Sequence, residues 1–105
     1  MNLQIDIKKS ESINTVVVKG EIDAYTAPQL KGQLDDILLE EEIQLIIDLH
    51  GVSYIDSTGL GVLVSALKIT RQTGGSLKLT GVNDRINRLL KITGLHEIMD
   101  ISGGE

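Results

Sequence analysis

Eight residues, Tyr54-Ile55-Asp56-Ser57-Thr58-Gly59-Leu60-Gly61, sit where the chain changes its hydrophobic period. Before them, Leu45-Ile46-Ile47-Asp48-Leu49 is almost continuously apolar. That pattern predicts a strand from Gln44 to Leu49, covered on both faces and parallel to its neighbours. After them, Leu60, Leu63, Val64 and Leu67 recur at i, i+3, i+4 and i+7, one face of a helix running from about Ser57 to Gln72. Gly74-Gly75 supplies its stop, and Ser76-Leu77-Lys78-Leu79-Thr80 alternates as the next strand. Strand, helix and strand at this spacing predict a βαβ unit and restrict the chain to the α/β class.

The flanking segments extend that unit. Leu3, Ile5 and Ile7 alternate with polar residues as a half-buried strand, and Ile13 to Lys19 is Val-rich. The short break Ser10-Glu11-Ser12 makes the two a hairpin. Gly20 to Tyr25 is expected to be a loop. Thr26 with Gln29 predicts a capping box for a helix that tolerates Pro28 in its first turn and carries Leu30, Leu34, Ile37 and Leu38 inward. The acids Glu40-Glu41-Glu42 end it against the macrodipole. A third helix starts at Asn83 or Asp84, buries Ile86, Leu89 and Leu90, and stops at Gly94 in a Schellman-type turn. Ile98 to Ile101 is expected to be a short strand or a helical turn. The sum is one α/β domain over residues 1–101, with a mixed sheet of four or five strands, an N-terminal hairpin and about three helices, followed by a disordered tail at 102–105.

Composition narrows the function classes. The 105 residues suit one domain, and with two tyrosines as the sole aromatics the core must be built of Val, Ile and Leu. A net charge of −5 argues against a nucleic-acid or anionic-membrane surface. No cysteine means no disulfide and no thiolate chemistry. The N-terminus lacks the pattern of a signal peptide, and no apolar run approaches the ~18 residues of a membrane span. A cytoplasmic domain is the expectation.

The turn at Asp56 to Gly61 is where chemistry is expected. Asp56 or Ser57 fits a helix cap, since side-chain oxygens there accept from unpaired N–H groups. A cap does not explain Gly59 and Gly61, each of which weakens a helix by roughly 1 kcal/mol relative to alanine. Close approach of another molecule would explain them. The stretch lacks the third small residue of a dinucleotide fingerprint and the Gly-Lys-Ser/Thr of a P-loop. An aspartic dyad would need a second copy and a different acid–glycine spacing. His50 and His96 are isolated, so no metal site is expected. Asp48 is expected to bond a neighbouring loop. The loops Gly20–Tyr25 and His50–Asp56 leave the carboxyl ends of strands, where ligands and partners gather in open sheets, and should lie side by side. Glu21, Asp23 and Asp56 would then share one edge. A nucleotide-binding or phosphotransfer domain using the Asp56–Gly61 loop is the alternative.

Gly20-Glu21-Ile22-Asp23 with Thr26-Ala27-Pro28, then Tyr54 to Gly61, then Gly74-Gly75-Ser76-Leu77, resembles the STAS-domain anti-sigma factor antagonists, or anti-anti-sigma factors. The resemblance runs from about Met1 to Ile101. It is most like the RsbV type of the general stress-response switch, with the sporulation-type antagonist close behind. It implies a binding module and kinase substrate rather than an enzyme. Unphosphorylated, such a protein binds an anti-sigma factor that is also a serine kinase, which frees the sigma factor. Phosphorylation of the residue that is Ser57 here ends that binding, and a PP2C-type phosphatase restores it. The resemblance implies a partner face of Glu21, Asp23, Thr26, Asp56, Thr58, Gly59, Leu60 and Gly61. It implies no cofactor, and a free form that is a monomer or weak dimer.

Overall fold

The computed structural model describes residues 3–103. β1 (Gln4–Ser10) and β2 (Ile13–Ile22) form the expected antiparallel hairpin, turned at Glu11 and Ser12 with Glu11 at φ 54°. There follow α1 (Ala27–Ile37), β3 (Gln44–Ile55), α2 (Ser57–Gln72), β4 (Ser76–Thr80), α3 (Asp84–Ile92) and β5 (Asp100–Ile101). One 3-10 turn at Leu95–Glu97 precedes β5, so the segment read as strand or helical turn holds both. The strands lie in chain order, β1-β2-β3-β4-β5, and every pair after the hairpin is parallel. This is the mixed α/β sheet with three helices that the periodicities predict.

One face of the sheet carries the core. Along β3, Leu45, Ile47 and Leu49 are buried, whereas Ile46 and Asp48 between them are half-exposed. The reading of a strand covered on both faces is therefore corrected. The apolar character of Ile46 suits a pleated, partly open surface, where β-branched residues also fit. Val16 and Val18 of β2 and Leu77 and Leu79 of β4 continue the buried rows. Leu30 and Leu34 of α1, Leu63 and Leu67 of α2, and Ile86 and Leu90 of α3 pack onto them as one aliphatic cluster. Each fully buried leucine or isoleucine contributes about 2 kcal/mol by removal from water. On the edge strand β1, Leu3 is buried and Ile5 half-buried, but Ile7 is exposed, against the expected half-burial.

The helix ends follow their local chemistry with one exception. The α2 stop is a Schellman turn, with Gly74 at φ 79° and the Gly75 N–H donating to Thr70 O at 2.7 Å. Asn83, not Asp84, caps α3, its Oδ1 accepting from Ile86 N at 2.8 Å. Gly94 at φ 78° donates to Lys91 O and ends α3. α1 ends at Ile37, ahead of the acids at 40–42, with Ile37 only half-buried. The exception is its start. Thr26 makes no side-chain cap, and Gln29 donates instead to Leu3 O at 2.9 Å, so no capping box forms. Within the expected tail, Ser102 N donates to Leu79 O at 2.9 Å. Residues 104 and 105 of that tail, like Met1 and Asn2, lie outside the described residues.

The largest difference from the sequence reading lies at the carboxyl ends of β2 and β3. Both strands run on through Gly20–Ile22 and His50–Ile55, stretches expected to be loops. Their pairing contains register shifts beside Val17/Lys19 and Gly20/Glu21, with the extra residues on β3. These bulges break the two-residue alternation that marks a strand in sequence. Asp48 serves the first of them, accepting the His50 N–H at 2.9 Å within its own strand rather than bonding a neighbouring loop. Gly51 permits close passage of its neighbour, since a Cβ there would lie 2.6 Å from Lys19 Cγ. What remains as connection is short: Asp23–Thr26 after β2 and Asp56 after β3.

Candidate functional site

The two short connections meet. Ile22 and Ile55 are register partners at the ends of β2 and β3, and the Asp56 N–H donates to Ile22 O at 3.1 Å. Asp56 then turns the chain into α2 from an extended conformation (φ −103°, ψ −174°). Both oxygens of its carboxylate are used. Oδ1 accepts from Gly59 N at 2.9 Å, capping α2, and Oδ2 accepts from Ala24 N at 3.2 Å, holding the β2–α1 connection against it. One carboxylate thus fixes both loops in a single frame. The expected side-by-side placement is met, with strands carrying most of what was read as loop.

The β2–α1 connection is itself locked. Asp23 Oδ1 accepts from Tyr25 N at 2.9 Å and from Thr26 N at 3.0 Å, an Asx turn. The Thr26 N–H, foremost among these donors, holds the Asp23 carboxyl below its ordinary range, opposed by partial desolvation. Thr26 is buried; its hydroxyl donates to Glu21 O at 2.7 Å and accepts from Asp23 N at 3.0 Å. Thr26, expected on the partner face, is thus a brace inside the turn. Glu21 sits on β2, half-buried and in register with Tyr54 of β3.

Ser57 and Thr58 are the first two residues of α2 and both are exposed. Neither hydroxyl has a hydrogen-bond partner among the described residues, and the same holds for their backbone N–H groups. Two unpaired donors therefore lie at the positive end of the helix dipole, beside an open hydroxyl. Asp56 supplies the cap; Ser57 does not.

The two glycines do different work. Gly59 is buried, and a Cβ on it would stand 2.6 Å from Ile22 Cγ2, 2.8 Å from Ile55 Cγ1 and 2.9 Å from Ile22 O. It lets α2 seat against the strand ends, which accounts for this glycine within the chain itself, where close approach of another molecule was expected. Leu60, also expected on the partner face, is turned into the core at 7% exposure. Gly61 is exposed with nothing within 4 Å of an added Cβ, and it alone keeps the open surface expected of both.

The structure adds Tyr25 and Tyr54, which are named in the motifs but not among the expected partner-face residues. They are the chain's two aromatics, and both are exposed at this edge, Tyr25 at 81%. The signal was present in the composition: a core built of aliphatic residues leaves its few aromatics for another use. Among the described residues, no group of acids and histidines could hold a metal ion, and no helix is long and apolar enough to cross a membrane. Two open cavities lie elsewhere, one beside Ile13, Gln44 and Lys78, the other beside Asn87, His96 and Met99.

Known proteins match nearly the whole chain. A family model for the STAS domain matches residues 4–103. The anti-sigma-B factor antagonist of Listeria monocytogenes is 49% identical over 106 residues, covering 100% of this chain and 93% of that protein. The protein of the same name from Bacillus subtilis is 48% identical over 102 residues, covering 97% and 93%. Among solved structures, a candidate anti-sigma factor antagonist of Thermotoga maritima superposes with a TM-score of 0.89 at 27% identity, covering 94% of this chain and 86% of that one.

Proposed function

Because the chain belongs to the STAS domain family, we propose that it is an anti-sigma factor antagonist whose docking edge is switched by a phosphate on Ser57. In its unmodified form it binds an anti-sigma factor and so frees the sigma factor. That partner doubles as a serine kinase, and a PP2C-type phosphatase reverses the modification. The observation that carries this reading is the open Ser57 hydroxyl at the first position of α2, on a frame that Asp56 locks.

The chemistry asks little of this chain. The kinase moves the γ-phosphoryl group of ATP to Ser57 Oγ; an O–P bond forms, the bond to the β-phosphate breaks, ADP leaves, and the hydroxyl proton passes to a base on the kinase. The phosphatase hydrolyses the ester with water and returns the serine. Ser57 Oγ has no base within hydrogen-bond reach among the described residues, so it suits an acceptor rather than a nucleophile activated in place.

The helix end makes the switch compatible with an intact fold. A phosphate brings about −1.5 to −2 charges, and the unpaired N–H groups of Ser57 and Thr58 can receive one of its oxygens. Favourable interaction with the dipole is worth about 0.3–1 kcal/mol, so the fold is not opposed. The docking edge is affected differently. A group of that size and charge must be desolvated or excluded at a fitted surface, and each ~1.4 kcal/mol lost is tenfold in affinity.

Nucleotide binding by the same turn is disfavoured. The Gly59 N–H that would cradle a phosphate is already taken by Asp56, and Gly59 faces inward. The test is direct. Incubation with the cognate kinase and ATP, followed by peptide mass spectrometry, should place the phosphate on Ser57. Phosphate on Thr58 alone, or none, rejects the reading.

A further inference from the structure

We propose that Tyr25 is the anchor of this docking edge: its ring enters an apolar slot on the anti-sigma factor kinase, beside the reach of Ser57. This rests on the function proposed above and names a residue that neither the motif nor the fold assigns to it.

Three observations converge on Tyr25. First, its exposure is 81%, in a chain whose buried core, among the described residues, contains no aromatic side chain. A tyrosine has an apolar ring and a polar tip, and such side chains contribute strongly at interfaces while tolerating water when free. Second, its backbone is held before any partner arrives. The Tyr25 N–H donates to Asp23 Oδ1, the preceding Ala24 N–H donates to Asp56 Oδ2, and the following Thr26 is buried. Ordering a loop on binding costs affinity, and here that ordering is already complete. Third, the tether from Ala24 runs to the residue immediately before Ser57, so the backbones that carry ring and hydroxyl belong to one frame.

Exposure alone would not single out Tyr25. Leu39 is exposed to 83% and Ile92 to 75%. Leu39 follows α1 and Ile92 ends α3, and among the described residues no side-chain hydrogen bond ties either segment to Asp56. Glu21, Asp23 and Asp56 form no ion pair with Lys or Arg among the described residues, so Tyr25 stands beside uncompensated carboxylates, and Tyr54, the other tyrosine of this edge, is far less exposed, at 39%. Interfaces place their binding energy in a desolvated aromatic centre and their charges around it.

The experiment measures affinity of the full chain for the purified cognate anti-sigma factor kinase by titration calorimetry, comparing the parent with Tyr25→Ala, Tyr25→Phe and Leu39→Ala. Tyr25→Ala should weaken binding at least ~10-fold, and Tyr25→Phe and Leu39→Ala should stay within about threefold of the parent. With Tyr25→Ala as kinase substrate, KM should rise and kcat should hold. Circular dichroism melts check that the exposed substitution leaves the fold intact. A Tyr25→Ala affinity within about threefold of the parent overturns the inference and leaves the Ser57 switch standing. Equal loss in Tyr25→Phe overturns the apolar slot, since the hydroxyl would then be the anchor. Failure of the parent itself to bind the kinase sinks the function beneath both.

Discussion

Asp56 and Ala24 are 32 residues apart in sequence, yet the Asp56 carboxylate accepts the Ala24 N–H at 3.2 Å while its other oxygen caps α2. A single side chain thus sets the helix end that carries Ser57 and the turn that carries Tyr25. Removing it should harm both. Asp56→Ala should lose about 1–2 kcal/mol of stability in urea denaturation, the usual cost of an N-cap. It should also weaken partner binding beyond that of a cap variant such as Asn83→Ala. Equal binding by the two variants would count against a shared frame.

Gly59 and Gly61 should respond to alanine with opposite signs. At Gly59 the new methyl meets Ile22 Cγ2 and the Ile22 carbonyl, so α2 must shift; a loss of about 1–3 kcal/mol is expected, outweighing any helix-propensity gain. At Gly61 the space is open, and the substitution should stabilise by up to about 1 kcal/mol. Thermal melts of the two variants decide this. If Gly61 is kept small for a partner, Gly61→Ala should bind less tightly even though it melts higher.

Asp23 gives a pH signature. Its carboxyl titrates lower in the folded chain than in the unfolded one, because the N–H groups of Thr26 and Tyr25 favour the ionised form. The resulting stability is fully present above the unfolded value, about pH 4, and is lost as pH falls through the native value. Parent and Asp23→Asn should therefore differ in urea midpoint at pH 6, and the gap should narrow on acidification below about pH 4. A gap that widens on acidification would contradict the sign.

Ser57→Asp should fold as the parent does and bind its partner at least ~10-fold more weakly, because a charge at the start of α2 suits the dipole and not the docking edge. A melt lowered by several degrees would mean that the modification acts through unfolding instead.

The sequence resolved the parts of this molecule whose physics is local. The strand-to-helix turn at Asp56, the stop at Gly74-Gly75 and a cap at Asn83 or Asp84, which the structure assigns to Asn83, all follow from neighbours within a few residues. What it did not resolve depends on contacts across the sheet. The bulges at Asp48–Gly51 and Val52–Tyr54 spoil the alternation, so paired strand read as loop. The inward use of Gly59 depends on Ile22, distant in sequence, and a glycine carries no sign of which side is crowded. Thr26 looked like a cap because its spacing to Gln29 is right; Glu21 O and Asp23 compete for the hydroxyl and win. The shared edge of the two connections was legible as a place, and the internal contacts of its residues were not.

β3 is paired unevenly. β2 accompanies it as far as Ile55, whereas β4 is in register only from Gln44 to Asp48. Beyond that point its far side is covered by the Asn83 amide on Val52 O and by little other strand structure. Deuterium uptake should accordingly split this strand, with slow amides in its first half and faster ones where no ladder shields them. The half that delivers Asp56 is thus held by one strand partner and by its buried Val52 and Ile55 rather than by a ladder on both sides.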